Sequence, residues 1–126
     1  MKAINLALVI PLILSLSACV VVVGGDKSKR SQLSSWEQRE LDNREAIAQL
    51  QTSHSMQTVL EEMGTPDFDE KLNVNERAYR VLYYRTQRVK GDGITTKDEC
   101  TPLVFYQGQL TGWGESEVKR LLSAVD

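Results

Sequence analysis

Apolar and polar positions divide the chain into an apolar leader, a polar connection and a patterned domain. Apolar residues occupy nearly every position from Ala3 to Leu14, and four valines follow at residues 20–23. Residues 24–33 are mostly Gly, Ser and charged side chains without periodicity, a composition typical of a linker. From Ser34 onward the apolar positions recur with helical and then strand-like spacing, so residues 34–126 are predicted to form one domain.

The first predicted helix begins at Ser34, which forms a capping box with Glu37, and runs to about Gln51. Its apolar stripe is thin, and Glu40 interrupts it, so we expect this helix to be only partly buried. The residues near this face are Trp36, Ile47 and Leu50, together with the polar Asn43.

The second predicted helix begins after its cap Ser55 and ends at Gly64, and Pro66 prevents it from continuing. Its apolar residues are spaced by three and four positions and therefore share one face. They are Met56, Val59, Leu60 and Met63. Because the connection between the two helices is short, we expect a helical hairpin.

Three strands are predicted next, over Ala78–Val89, Thr101–Tyr106 and Gln109–Trp113. Residues 67–76 look like a polar connection, with a short extra strand as the alternative, and residues 115–125 like a terminal helix. The predicted fold is therefore α+β, a two-layer sandwich in which the helical hairpin packs on a three-stranded antiparallel meander, with a C-terminal helix.

The strand period predicts which side chains share a face of the sheet. In the first predicted strand, Tyr79, Val81 and Tyr83 alternate with Arg80, Leu82, Tyr84 and Thr86. Because two helices cover only one face, we expect aromatic and arginine side chains on the other, a composition typical of binding hot spots. The candidate interaction residues are Leu82, Tyr84, Arg85 and Trp113. Ordinary core packing of these side chains is the alternative.

The leader ends in Leu16-Ser17-Ala18-Cys19, which has the form of a bacterial lipobox. It predicts a signal peptide over residues 1–18, lipidation of Cys19 with acyl chains such as palmitate, and a flexible tether over residues 19–33. An uncleaved membrane anchor and ordinary secretory cleavage after Ala18 are the alternatives. Val20 rather than Asp follows the cysteine, which by the usual bacterial sorting pattern favours the outer membrane over the inner one. Small lipoproteins of this type usually face the periplasm, so we expect that orientation.

Charge and cysteine content narrow the possible functions. The chain carries 15 Lys and Arg against 17 Asp and Glu, so nucleic acid is not an expected partner. If Cys19 carries lipid, Cys100 has no partner in the chain, and it is either buried and inert or a reactive thiol. The sequence has no catalytic motif, and a zinc site built from His54, Cys100 and the acidic pair before it has little support. We therefore expect no enzymatic activity, cofactor or metal.

The segment from Leu50 to Pro66 resembles the signature of the SmpA/OmlA lipoproteins, which include the small lipoprotein of the outer-membrane β-barrel assembly machinery. Leu50, Val59 and Gly64-Thr65-Pro66 match that signature. Ser53, His54 and Met63 stand where it has glycine, methionine and leucine.

Other residues resemble a family of small Gram-negative lipoproteins known only as a domain of unknown function. They are Tyr84-Arg85-Thr86, the run from Thr95 to Phe105, and Gly112-Trp113-Gly114. Together the resemblances imply a non-enzymatic outer-membrane lipoprotein that acts as a protein-interaction or scaffold module in envelope assembly or maintenance. The barrel assembly machinery is then a candidate partner. The alternatives are a thiol- or ligand-dependent factor acting through Asp98–Cys100, and a periplasmic inhibitor or ligand-binding protein.

Overall fold

The computed structural model describes residues 32–124, so the predicted signal peptide, Cys19 and most of the predicted tether lie outside the described residues. Helix α1 spans Ser35–Ala48, α2 spans Met56–Met63 and α3 spans Glu115–Ser123. The predicted caps are confirmed. Ser34 and Glu37 form a capping box, and the Ser55 side chain accepts a hydrogen bond from the Thr58 amide.

Four antiparallel strands follow one another in space in the order of the sequence. Strand β1 spans Phe68–Val74, β2 Arg77–Arg85, β3 Cys100–Tyr106 and β4 Gln109–Trp113. β1 and β4 therefore form the two edges of the sheet. At β4, the Leu110 amide donates to the His54 carbonyl at 2.9 Å, so the connection between α1 and α2 runs along that edge.

The α+β class, the antiparallel meander and the C-terminal helix are confirmed, but the sheet has four strands instead of three. The extra strand is β1, predicted mainly as a polar connection. Its side chains alternate between Phe68, Leu72 and Val74 on one face and Asp69, Lys71 and Asn73 on the other. This alternation makes β1 a half-buried edge strand rather than a loop.

The helices pack on both faces of the sheet, so α3 adds a third layer to the predicted two-layer sandwich and covers the face that was expected to be open. Adjacent strand residues point to opposite faces, and Leu82 packs with α1 and α2 whereas Val81 packs with α3. The first core consists of Ile47, Leu50, Val59, Leu82, Tyr84, Leu103, Phe105 and Leu110. The second consists of Val74, Val81, Tyr83, Cys100, Val104 and Leu121, with Phe68, Leu72, Tyr79 and Val118 packed against it.

A lysine covers the part of the second face near β1. The Lys97 ammonium lies 5.5 Å from the ring centre of Tyr83 and 6.0 Å from that of Phe68, and it forms an ion pair with Glu70. The aliphatic stem of a lysine shields apolar surface while its charge stays in water.

None of the helices in residues 32–124 is both long and apolar enough to cross a bilayer.

Candidate functional site

The predicted interaction residues do not lie together on the surface. Leu82 and Tyr84 are 0% and 1% exposed, because α1 and α2 pack on the face of the sheet that carries them. The expectation that they form an exposed binding face is therefore wrong. Trp113, at the end of β4, is 37% exposed and remains accessible.

Tyr84 connects the sheet to the end of α2. Its hydroxyl donates a hydrogen bond to the Gly64 carbonyl at 2.8 Å. Gly64 ends the helix with φ of +77°, a conformation that favours glycine. Burial raises the pKa of the Tyr84 hydroxyl to about 12, so it stays a donor. Tyr84 and the Gly64-Thr65-Pro66 motif thus form one structural unit.

Arg85 is also buried, and its guanidinium joins three segments of the chain. Its Nε donates to Glu40 Oε1 at 2.9 Å, its Nη1 donates to Thr95 Oγ1 at 3.0 Å, and its Nη2 lies 3.3 Å from Glu99 Oε2. We refer to Glu40, Arg85, Thr95 and Glu99 as the Arg85 network. It joins α1, the end of β2 and the loop that precedes β3.

Glu99 is the anchor of that loop. Its carboxylate accepts hydrogen bonds from the backbone amides of Val89, Lys90 and Thr96 at 3.0, 3.4 and 3.1 Å. These bonds, above all the one from Val89, lower the pKa of Glu99 to about 2 although burial opposes the charge. Residues 86–99 therefore fold around a permanent negative charge.

Further hydrogen bonds hold the backbone beside the network. Asn43 Nδ2 donates to the Arg85 carbonyl at 2.7 Å, Asp67 Oδ2 accepts from the Arg85 amide at 2.8 Å, and Arg44 donates to the Thr86 carbonyl. Within residues 32–124, every buried side-chain nitrogen and oxygen has a hydrogen-bond partner. Because its polar groups already bind one another, the network suits a structural clamp better than acid–base chemistry.

A groove of about 300 Å³ lies beside the Arg85 network. The Arg85 guanidinium carbon lies 4.6 Å from the ring centre of Trp36, which forms one wall and is 40% exposed. Ser34, Glu37, Arg88 and Lys90 also line the groove. It combines an aromatic ring with exposed basic side chains at the end of the domain where α1 begins.

Cys100 lies in β3 opposite Arg85 and points into the second core. It is a free cysteine and is 6% exposed. Burial is the main cause that raises the pKa of its thiol to about 12, so the reactive thiolate is scarce at neutral pH. The sequence allowed two interpretations of Cys100, a buried inert thiol and a reactive one, and the structure therefore favours the buried inert thiol.

In the described part of the chain, no three His, Cys, Asp or Glu side chains converge as metal ligands would.

Glu40, a central member of the network, was not among the residues predicted to be functional, and Glu99 was included only in the alternative built on Asp98–Cys100. Glu40 carried a signal, because it is a charged residue within the apolar stripe of α1 and is 6% exposed. A carboxylate in such a position needs a cationic partner. The sequence did not indicate which arginine, 45 positions away, would supply it.

The fold is thus an antiparallel four-stranded meander with helices on both faces, built around a buried arginine–carboxylate network. Residues 17–120 match a family described as a protein of unknown function (DUF3192). The match covers well over half of the chain, and the chain belongs to this family. No curated protein and no solved structure matches it.

Proposed function

We propose that this chain is a non-enzymatic outer-membrane lipoprotein, anchored through acylated Cys19, whose domain binds another envelope protein. The observation that carries the proposal is Leu16-Ser17-Ala18-Cys19 at the end of an apolar run with a positive start. The family match begins at residue 17 and so includes Cys19 but leaves out most of the leader. An acylated cysteine places the domain beside a membrane, where its partners are also envelope components.

The SmpA/OmlA resemblance supports an adaptor role and makes the barrel assembly machinery the first partner to test. The residues Gly64 and Pro66 of the resembling motif occupy defined positions in the fold. Gly64 ends α2, Pro66 follows it, and Tyr84 donates to the Gly64 carbonyl. The factor acting through the Cys100 thiol is a weaker proposal, because it needs an accessible thiolate and Cys100 is buried.

Lipid anchoring is tested by comparing the native chain with a Cys19→Ser variant in a Gram-negative host. We expect labelled palmitate to enter the native chain only, and the mature mass to equal residues 19–126 plus a diacylglyceryl group, with or without one further acyl chain. An unlabelled native chain, or one that keeps residues 1–18, would contradict the proposal.

Partner binding is tested by in-cell photocrosslinking from Trp113 of the anchored chain. Tyr84 provides a matched control, because the same photoreactive residue there would be buried under α1 and α2. Gln107, exposed in the turn before β4, provides a surface control. We expect adducts with an envelope protein from position 113 and none from position 84. Equal adducts from positions 107 and 113 would indicate random collisions.

A further inference from the structure

One end of the domain exposes apolar side chains. Trp36, Val89 and Ile94 are three of the five large hydrophobic residues that are exposed within residues 32–124. All three adjoin the Arg85 network: Trp36 lies against Arg85, the Val89 amide donates to Glu99, and Ile94 precedes Thr95. The network therefore contacts the Trp36 ring and fixes the backbone at Val89 and next to Ile94.

Basic residues flank these apolar side chains. Arg88 and Lys90 are exposed and line the groove beside Trp36. Two acidic residues lie nearby and keep their charge: Glu37 accepts from the Ser34 amide at 2.8 Å and interacts electrostatically with Arg88, and Asp92 accepts from the Ile94 amide at 3.0 Å. The surplus of positive charge at this end therefore depends on the basic residues of the segment before Ser34. We call Trp36, Arg88, Val89, Lys90 and Ile94 the end surface.

The chain itself places the end surface near the expected anchor. Ser34 lines the groove and is the cap of α1, so the chain enters the domain at this end. Only fifteen positions separate Cys19 from Ser34, and even a fully extended segment of that length spans at most roughly 50 Å. That segment also contains Lys27, Lys29 and Arg30.

We propose that the end surface docks on the anionic headgroup layer of the membrane to which Cys19 is attached. This inference rests on the lipid anchor of the proposed function. Tryptophan and aliphatic side chains enter the interfacial layer of a bilayer, and neighbouring Arg and Lys bind lipid phosphates. A short tether keeps the local concentration of membrane high, so individually weak contacts suffice.

The test uses the acylated full chain in vesicles of phosphatidylethanolamine and phosphatidylglycerol in equal parts, with bromine on the acyl chains. A Trp113→Phe variant leaves Trp36 as the single tryptophan, and a Trp36→Phe variant leaves Trp113 as the matched reporter. We expect bromine to quench Trp36 and its emission to shift to the blue, whereas Trp113 changes little. Trp36 fluorescence unaffected by bromine, or Trp113 quenched more strongly than Trp36, would overturn the proposal.

Charge removal tests the recognition of anionic lipid. Arg88→Gln and Lys90→Gln should each lower the docking constant about fivefold, and vesicles of phosphatidylcholine alone should lower it as well. Equal quenching in both lipids and in both variants would overturn the proposed recognition of anionic lipid.

Flotation of the vesicles distinguishes failure of the lipid anchor from failure of the docking. A chain that does not float with the vesicles refutes the anchor, whereas one that floats with Trp36 unquenched refutes only the docking. Quenching that requires an added envelope protein would reassign the end surface to that protein.

Discussion

The Arg85 guanidinium and the Glu99 carboxylate lie 3.3 Å apart, at facing ends of two neighbouring strands, with side chains only 5% and 1% exposed. Arg85 is the last residue of β2, and Glu99 directly precedes β3. Because Arg85 also binds Glu40 of α1, this pair connects the sheet, the first helix and the loop over residues 86–99.

Replacing Arg85 should destabilise the fold strongly. Arg85→Met removes the cation that Glu40 and Glu99 share. Glu99 keeps its backbone amide donors, but Glu40 stays buried without its cationic partner, at an expected cost of about 3–5 kcal/mol. Arg80→Met is the matched control, since Arg80 lies on the same strand and pairs with Asp69 near the surface. It should cost less than about 1 kcal/mol. Urea unfolding measures both, and equal losses would show that burial of the Arg85 pair adds nothing.

Acid should remove the contribution of Glu99. Its pKa is about 2 in the folded chain against an ordinary value of 4.5. A lowered folded-state pKa favours the folded chain above pH 4.5, and this advantage disappears as the pH falls from 4.5 towards 2. The difference in unfolding midpoint between the native chain and Glu99→Gln should therefore shrink over that window. The same difference for Glu115→Gln, at an exposed position, should be small throughout.

Cys100 should resist thiol reagents while the domain is folded. A thiol pKa of about 12 instead of 9 reduces the thiolate population near neutral pH by roughly 10³, and burial restricts access further. In a Cys19→Ser chain, where Cys100 is the single cysteine, iodoacetamide labelling should be slow and should become fast in urea. Rapid labelling of the folded chain would restore the reactive-thiol alternative.

The hydrogen bond from Tyr84 to Gly64 should contribute measurably to stability. Tyr84→Phe keeps the ring in the core but leaves the Gly64 carbonyl without this donor, at an expected cost of about 1–2 kcal/mol. Tyr106→Phe is the control, because the Tyr106 ring is half-buried and packs against Tyr79 at 5.0 Å. Thermal unfolding should show a clearly larger loss for Tyr84→Phe.

Local features of the fold were predictable because they depend on neighbouring residues. Ser34 with Glu37, Ser55 and Gly64 marked helix ends, and the alternation after Ala78 marked a strand. Which face of the sheet receives the helical hairpin, and that α3 covers the other face, was not predictable in this way. Periodicity groups Leu82 with Tyr84 but does not distinguish inside from outside.

The candidate site was harder to predict because its parts are distant in sequence. Arg85 looked like a surface residue, since an arginine is rarely buried without partners. Its partners Glu40 and Glu99 come from two other segments, and only the folded chain brings them together. For Trp113, which lies between two glycines, the sequence left an exposed position and core packing open, and the structure shows it 37% exposed at the end of the last strand.

The lysine at the centre of the edge strand β1 affects whether two copies of the domain can pair through their sheet edges. Two copies meeting edge to edge, antiparallel about the centre of β1, would place Lys71 of one opposite Lys71 of the other, because Lys71 is the middle residue of Phe68–Val74. Like charges in opposed strand positions repel, and an edge lysine is a common protection against sheet extension. In that register, the repulsion between the two lysines opposes the fusion of neighbouring domains into a continuous sheet.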